Sequence, residues 1–128
     1  MIDNFYTNVR DFHKAFGQRV GETPELPEKD ERELRKKLLA EEYTEYVVAE
    51  YNNDLVEIAD ALADIIYIAC GTAVSYGIPL DRLFAEVHRS NMAKLVDGKV
   101  IRRSDGKVQK PDGWTPPDVK NILYSEDC

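Results

Sequence analysis

The segment IADALADIIYIACGTAVSYGIPL, residues 58–80, is apolar almost throughout, and its only charged residues are Asp60 and Asp64. Lying one turn apart, the two aspartates share a helix face. A helix that is apolar on every side is normally buried, and a buried unpaired carboxylate either costs several kcal/mol or gives up its charge. Such acids call for a cation. The preceding segment supplies more of the same kind in Glu41-Glu42-Tyr43-Thr44-Glu45. The two stretches together read as a carboxylate cage for a hard metal ion.

Outward from this core the chain organises itself as helices. Val9, Phe12 and Phe16 recur at helical spacing, so a first helix is expected over about residues 3–16, stopped by Gly17. A proline-containing loop follows, and Asp30 offers an N-cap for a second helix over about 31–51. Asn52-Asn53-Asp54 makes a turn, with Asp54 and Glu57 spaced as a capping box for a third helix running to Gly77. Pro79 suits the first turn of a fourth helix ending near Leu95. In the remainder, Lys99–Arg103 and Lys107–Lys110 flank Ser104-Asp105-Gly106 as the arms of a short hairpin. The expected fold is all-α: a four-helix antiparallel bundle, residues 1–95, with an irregular tail, residues 96–128, packing on the core or on a partner subunit. One bundle of this size hardly covers every side of the third helix. The surplus apolar face predicts a homo-oligomer, a dimer or tetramer.

With 128 residues, 43% of them apolar, the chain is ordinary globular material of one-domain size. Its net charge of −7 argues against broad nucleic-acid binding. The charge is segregated, since residues 22–64 hold 14 acids and 5 bases whereas residues 89–110 hold 7 bases and only Asp97 and Asp105. An acidic front and a basic rear suit the two halves of a metal and phosphate site, or two solvated surfaces. Cys70 lies in the apolar helix and Cys128 is the last residue, a pattern that suits a reducing cytosol rather than a disulfide. The N-terminus has no signal pattern, and the two aspartates argue against a membrane span over 58–80.

The acids fall into register. If the second and third helices form a hairpin turning near residues 53–54, residue n of one arm is level with about residue 107 − n of the other. Glu42 is then level with residue 65 and Glu45 with residue 62, bracketed by Asp60 and Asp64. On a helical wheel Glu41, Glu42 and Glu45 share the stripe of Leu34, Leu38 and Ala49. Glu57 sits farther along the axis and has capping work to do. The ligand set is all oxygen, without the Cys/His clusters of zinc, so it selects Mg²⁺, with Mn²⁺ as a substitute. On the basic side, Asn91 and Lys94 lie one turn apart and suit a nucleotide, Lys94 as a phosphate partner. Lys107 and Lys110 suit phosphates from the tail. Trp114 reads as packing, and His13 and His88 as half-buried structural residues.

The pattern Glu41-Glu42-x-x-Glu45 followed by acids on the next helix resembles the all-α nucleoside triphosphate pyrophosphohydrolases. These include MazG-like proteins, all-α dUTPases and dCTPases, and phosphoribosyl-ATP pyrophosphohydrolase. The resemblance runs from about Phe12 to Lys94, and the family pattern is EExxE, a spacer, then ExxD, its last Asp followed by two apolar residues and an aromatic. The literal ExxD here is Glu57–Asp60, yet the aspartate followed by Ile65-Ile66-Tyr67 is Asp64. The second half of the cage is therefore Glu57 with Asp60, or Asp60 with Asp64. The resemblance implies metal-dependent hydrolysis between the α and β phosphates of a nucleoside triphosphate. Glu42, Glu45, Asp60 and Asp64 would hold the ions, Glu41 would bind or deprotonate the attacking water, and Lys94 with Lys107 and Lys110 would steady the phosphates. It also implies assembly as a dimer or larger, with sites lined by more than one subunit. Hydrolysis of phosphoribosyl-ATP, a non-catalytic helical dimerisation module and a metal-buffering bundle are the alternative readings.

Overall fold

The computed structural model describes residues 4–125. These form five α-helices and no strand beyond isolated bridges. The expected all-α class stands, with one more helix than the sequence suggested. Cys128 and the expected start of the first helix at residue 3 lie outside the described residues. The chain divides into two compact units, one up to Leu80 and one from Asp81 onward.

In the first unit, α1 (Phe5–Ala15) starts at Asn4, whose side chain accepts the Thr7 N–H at 3.2 Å. It packs on α3 (Leu55–Tyr76) through buried Val9 and His13. Phe12 meets Tyr67 edge to face at 5.6 Å, and His13 Nδ1 donates to the Arg19 carbonyl at 2.8 Å. His13 is thus a structural core residue, more deeply buried than expected.

The second helix, α2 (Lys29–Tyr51), begins before Asp30 rather than after it. Glu28 is the extended residue at the boundary and makes no side-chain cap. Asp30 and Glu31 lie instead inside the first turn, where acids complement the helix dipole. The α2–α3 turn is as expected: Asn53 takes a left-handed φ of 53°, and Asp54 caps α3 by accepting the Glu57 N–H at 3.1 Å. At the far end Gly77, φ 70°, stops α3, and Ile78 N–H reaches back to the Ala73 carbonyl at 2.8 Å. The loop after α1 is strapped to this end. Gly21 N–H bonds the Val74 carbonyl, Glu25 N–H the Tyr76 carbonyl, and Arg19 Nε the Ser75 carbonyl.

The second unit holds α4 (Leu80–Met92) from its second residue onward, and this helix stops three residues short of the expected Leu95. The tail does contain the expected hairpin turn. Arg102 and Val108 pair as an antiparallel bridge, and Arg103 N–H bonds the Lys107 carbonyl at 2.7 Å. A short α5 (Val119–Tyr124) was not expected; Asp118, after Pro116-Pro117, caps it. Trp114 packs, as expected, with its Nε1 donating to the Ser90 carbonyl at 2.6 Å.

Candidate metal centre

Three of the expected acids converge. Glu42 and Glu45 on α2 and Asp64 on α3 each offer a ligand atom, all within 4.8 Å of one another. The convergence follows from the hairpin: Glu42 and Glu45 are neighbours on one face of α2, and the turn at 52–54 brings α3 back antiparallel. One side of this group is dry. Glu42 Oε2 is buried without a hydrogen-bond partner. Burial first, then a hydrogen bond with Glu45, then the charges of Glu45, Asp64 and Asp60, push the Glu42 carboxyl up to about 7. No ion pair among the described residues reaches any of these acids.

Such an arrangement suits a cation. The ligand atoms lie close enough together that Glu42, Glu45 and Asp64 could hold one metal ion between them. Asp60 stands one turn from Asp64 and adds its field at Glu42. With Glu45 and Glu57 it also lines a cleft whose apolar part is Val48, Ala49 and Ala61. Of the alternatives for the second half of the cage, Asp64 joins the tight cluster, whereas Asp60 and Glu57 line the cleft beside it and lie outside that cluster. Glu41 is exposed and outside the three-acid cluster. The expected apolar stripe of α2 holds in part: Ala49 is buried and Leu38 half-buried, but Leu34 is half exposed and the neighbouring Arg35 is buried in its stead.

A family model described as phosphoribosyl-ATP pyrophosphohydrolase matches residues 9–91, which contain α2, α3 and the whole acidic cluster. The chain belongs to this family. The phosphoribosyl-ATP pyrophosphohydrolase family is part of the MazG-like all-α superfamily, so the chain is a hydrolase of phosphoanhydride bonds acting on a nucleotide. Members of the pyrophosphohydrolase family are typically metal-dependent, in keeping with the acidic cluster. A comparison with curated proteins gives no match.

The basic candidates of this pyrophosphohydrolase lie in the second unit. Lys94 Nζ donates to Asn91 Oδ1 at 3.1 Å and lies 5.5 Å from the Trp114 ring centre. Lys110 Nζ lies 4.7 Å from the same ring. Two ammoniums thus converge on one indole, neither in an ion pair among the described residues. Lys107 is exposed, and its backbone N–H is held by Asp105 at 3.0 Å. His88 is exposed. One buried polar residue of α2 had no reading from sequence: Arg35, whose run with Lys36 and Lys37 looks like a solvated face.

Proposed function

We propose that the chain is a Mg²⁺-dependent pyrophosphohydrolase that adds water across the α–β phosphoanhydride of a nucleoside triphosphate, releasing the monophosphate and pyrophosphate. The observation that carries this reading is Glu42, a carboxyl with one oxygen buried and unpartnered among three other acids. An acid so placed is stabilised either by taking up a proton, with Glu45 as hydrogen-bond partner, or by a divalent ion. Glu42, Glu45 and Asp64 hold the ion, with Asp60 completing the set from the adjacent turn. When bound, the ion supplies charge neutralisation for the triphosphate and polarisation of the attacked phosphoryl group. Glu41, beside the cluster in sequence and open to solvent, takes the proton of the attacking water. Asn91, Lys94, Lys107 and Lys110 contact the nucleotide and its phosphates, Lys as a point charge.

Phosphoribosyl-ATP is the second reading of the substrate, favoured by the description of the matching family. It presents the same triphosphate on an enlarged base. Mg²⁺, with Mn²⁺ as substitute, follows from the all-oxygen donor set. A cytoplasmic homodimer or homotetramer accounts for the apolar side chains that α3 leaves open, Leu55 and Val56 at 76% exposure and Leu62 and Ile66 near half. These side chains also leave α3 long and apolar enough to cross a membrane by length and composition. The two aspartates favour a soluble assembly.

The test is pyrophosphate release from a panel of ribo- and deoxyribonucleoside triphosphates and phosphoribosyl-ATP, with Mg²⁺, Mn²⁺ or chelator. Metal-dependent release with matching monophosphate is expected, and the fastest substrate names the base. Orthophosphate release, or turnover undiminished by chelator, refutes the reading.

A further inference from the structure

The most deeply buried residues of α3 are small: Ala61, Cys70, Gly71, Ala73, Val74 and Ser75. Small side chains make shallow knobs, so apolar packing alone specifies the axial register of α2 on α3 weakly. The acidic centre needs that register to be accurate. A slip of one turn moves α2 by about 5.4 Å, more than the 4.8 Å spread of the Glu42, Glu45 and Asp64 ligand atoms.

Polar contacts supply what the packing lacks. Arg35 is 6% exposed although it is charged. Its Nε donates to Thr72 Oγ1 at 3.1 Å, and its Nη2 donates to the Ile68 carbonyl at 3.0 Å. The space it occupies exists because residue 71 is glycine, where a Cβ would approach Arg35 Nη2 to 2.4 Å. One turn away, Ser75 Oγ donates to Glu31 Oε2 at 2.5 Å. Glu31 with Ser75, Arg35 with Thr72, and Glu42 with Asp64 are successive rungs of one antiparallel ladder. The first two lock the register in which the third closes. Buried polar groups that choose one register among several have this role in other helical assemblies.

We propose that Arg35 is the positioning residue of the acidic centre: by gripping Thr72 and the Ile68 carbonyl it sets the α2–α3 register and seats Glu42 and Glu45 against Asp64. The inference rests on the metal-binding reading of that cluster. It assigns Arg35 no contact with the ion or the substrate.

The test compares Arg35→Lys, which keeps the charge but loses the fork, with Thr72→Val, which keeps the shape but loses one acceptor. Val9→Ala, a core truncation in α1, is the control for general destabilisation. Mn²⁺ affinity is measured well below each melting temperature, alongside pyrophosphate release. Arg35→Lys is expected to weaken Mn²⁺ binding by about 10–100-fold, as removal of an orienting partner does. Thr72→Val is expected to weaken it about two- to tenfold, the scale of one hydrogen bond, and carries the test if Arg35→Lys does not fold. Val9→Ala should leave it unchanged. Wild-type affinity in both pin variants, or equal weakening in Val9→Ala, overturns the proposal. Interhelical NOEs between α2 and α3, recorded without metal, separate this from failure of the metal reading. If the wild type binds no Mn²⁺, a pattern altered in the pin variants still supports the register role, and an unaltered one refutes it.

Discussion

Glu42 and Asp64, one on each arm of the α2–α3 hairpin, bring carboxylate oxygens within 4.8 Å of each other, with no cation from the described residues between them. Like charges at that distance repel, and the dry side of Glu42 removes water that would screen them. The fold therefore carries a local cost in its metal-free form. Stability and activity should be opposed at this position.

Glu42→Gln tests that opposition. The amide has no charge to bury, and its NH₂ can donate to a neighbouring carboxylate. The metal-free protein should gain about 1 kcal/mol, or ~4 °C in melting temperature. Metal-dependent pyrophosphate release should fall ~100-fold or more, since a ligand outranks the partners that orient it. A thermal melt and an activity assay on one preparation check both. A variant no more stable and still active would show that Glu42 is an ordinary surface acid.

The pH dependence has a definite sign. The Glu42 carboxyl is raised from 4.5 to about 7, chiefly by burial and then by Glu45. The folded state therefore holds a proton that the unfolded state releases at lower pH. This contribution to stability is fully present below about 4.5 and is lost as pH rises through about 7. A divalent ion needs the carboxylate, so it restores at high pH what the metal-free protein lost. The rise in melting temperature caused by Mn²⁺ should be larger at pH 8 than at pH 5.5, and Glu42→Gln should shrink the difference.

The hairpin register was legible in the sequence because two rules fix it: the rise per residue of a helix, and a turn pinned by Asn53 and the Asp54 cap. Those rules put Glu42 level with residue 65 and Glu45 level with residue 62, so that Asp60 and Asp64 bracket them. Arg35 was not legible. Sequence patterns weight leucines as core, but in the isolated chain Leu34 is 48% exposed and the arginine beside it is buried. Its burial depends on a gap at Gly71, on another helix, that no local pattern encodes. The short α5 escaped for a different reason: six residues are too few to show a period, although Asp118 caps them.

Gly77 and Gly17 both take left-handed φ, yet alanine should affect them very differently. At Gly17 a Cβ meets nothing within 4 Å, so Gly17→Ala incurs only the conformational cost, about 1–2 kcal/mol. At Gly77 a Cβ would lie 2.3 Å from the Thr23 carbonyl oxygen, which is backbone and cannot swing aside. Gly77→Ala should therefore cost ~3 kcal/mol or more, by adding a clash to the same strain. Urea unfolding of the two variants gives the comparison. Equal losses would mean that the loop over the end of α3 is not held where Gly21 and Glu25 bond it.

The second unit has its own electrostatic clasp, and the single tryptophan reports on it. Glu86 bonds Arg89 through both oxygens, at 2.8 and 2.9 Å, and accepts the Asp118 N–H at 2.8 Å. Arg89, then the Asp118 N–H, hold its carboxyl down to about 2. A depressed acid contributes stability that is present above its unfolded value of 4.5 and is lost as pH falls through about 2. Trp114 is anchored to the same helix through the Ser90 carbonyl, so its fluorescence follows the tail as it leaves α4. The urea midpoint read from Trp114 should drop between pH 7 and pH 3 in the wild type. In Glu86→Gln it should begin lower at pH 7 and change less, because the titrating partner is gone while other acids respond alike in both proteins. Parallel pH profiles for the two would show that the Glu86 clasp does not hold the tail in solution.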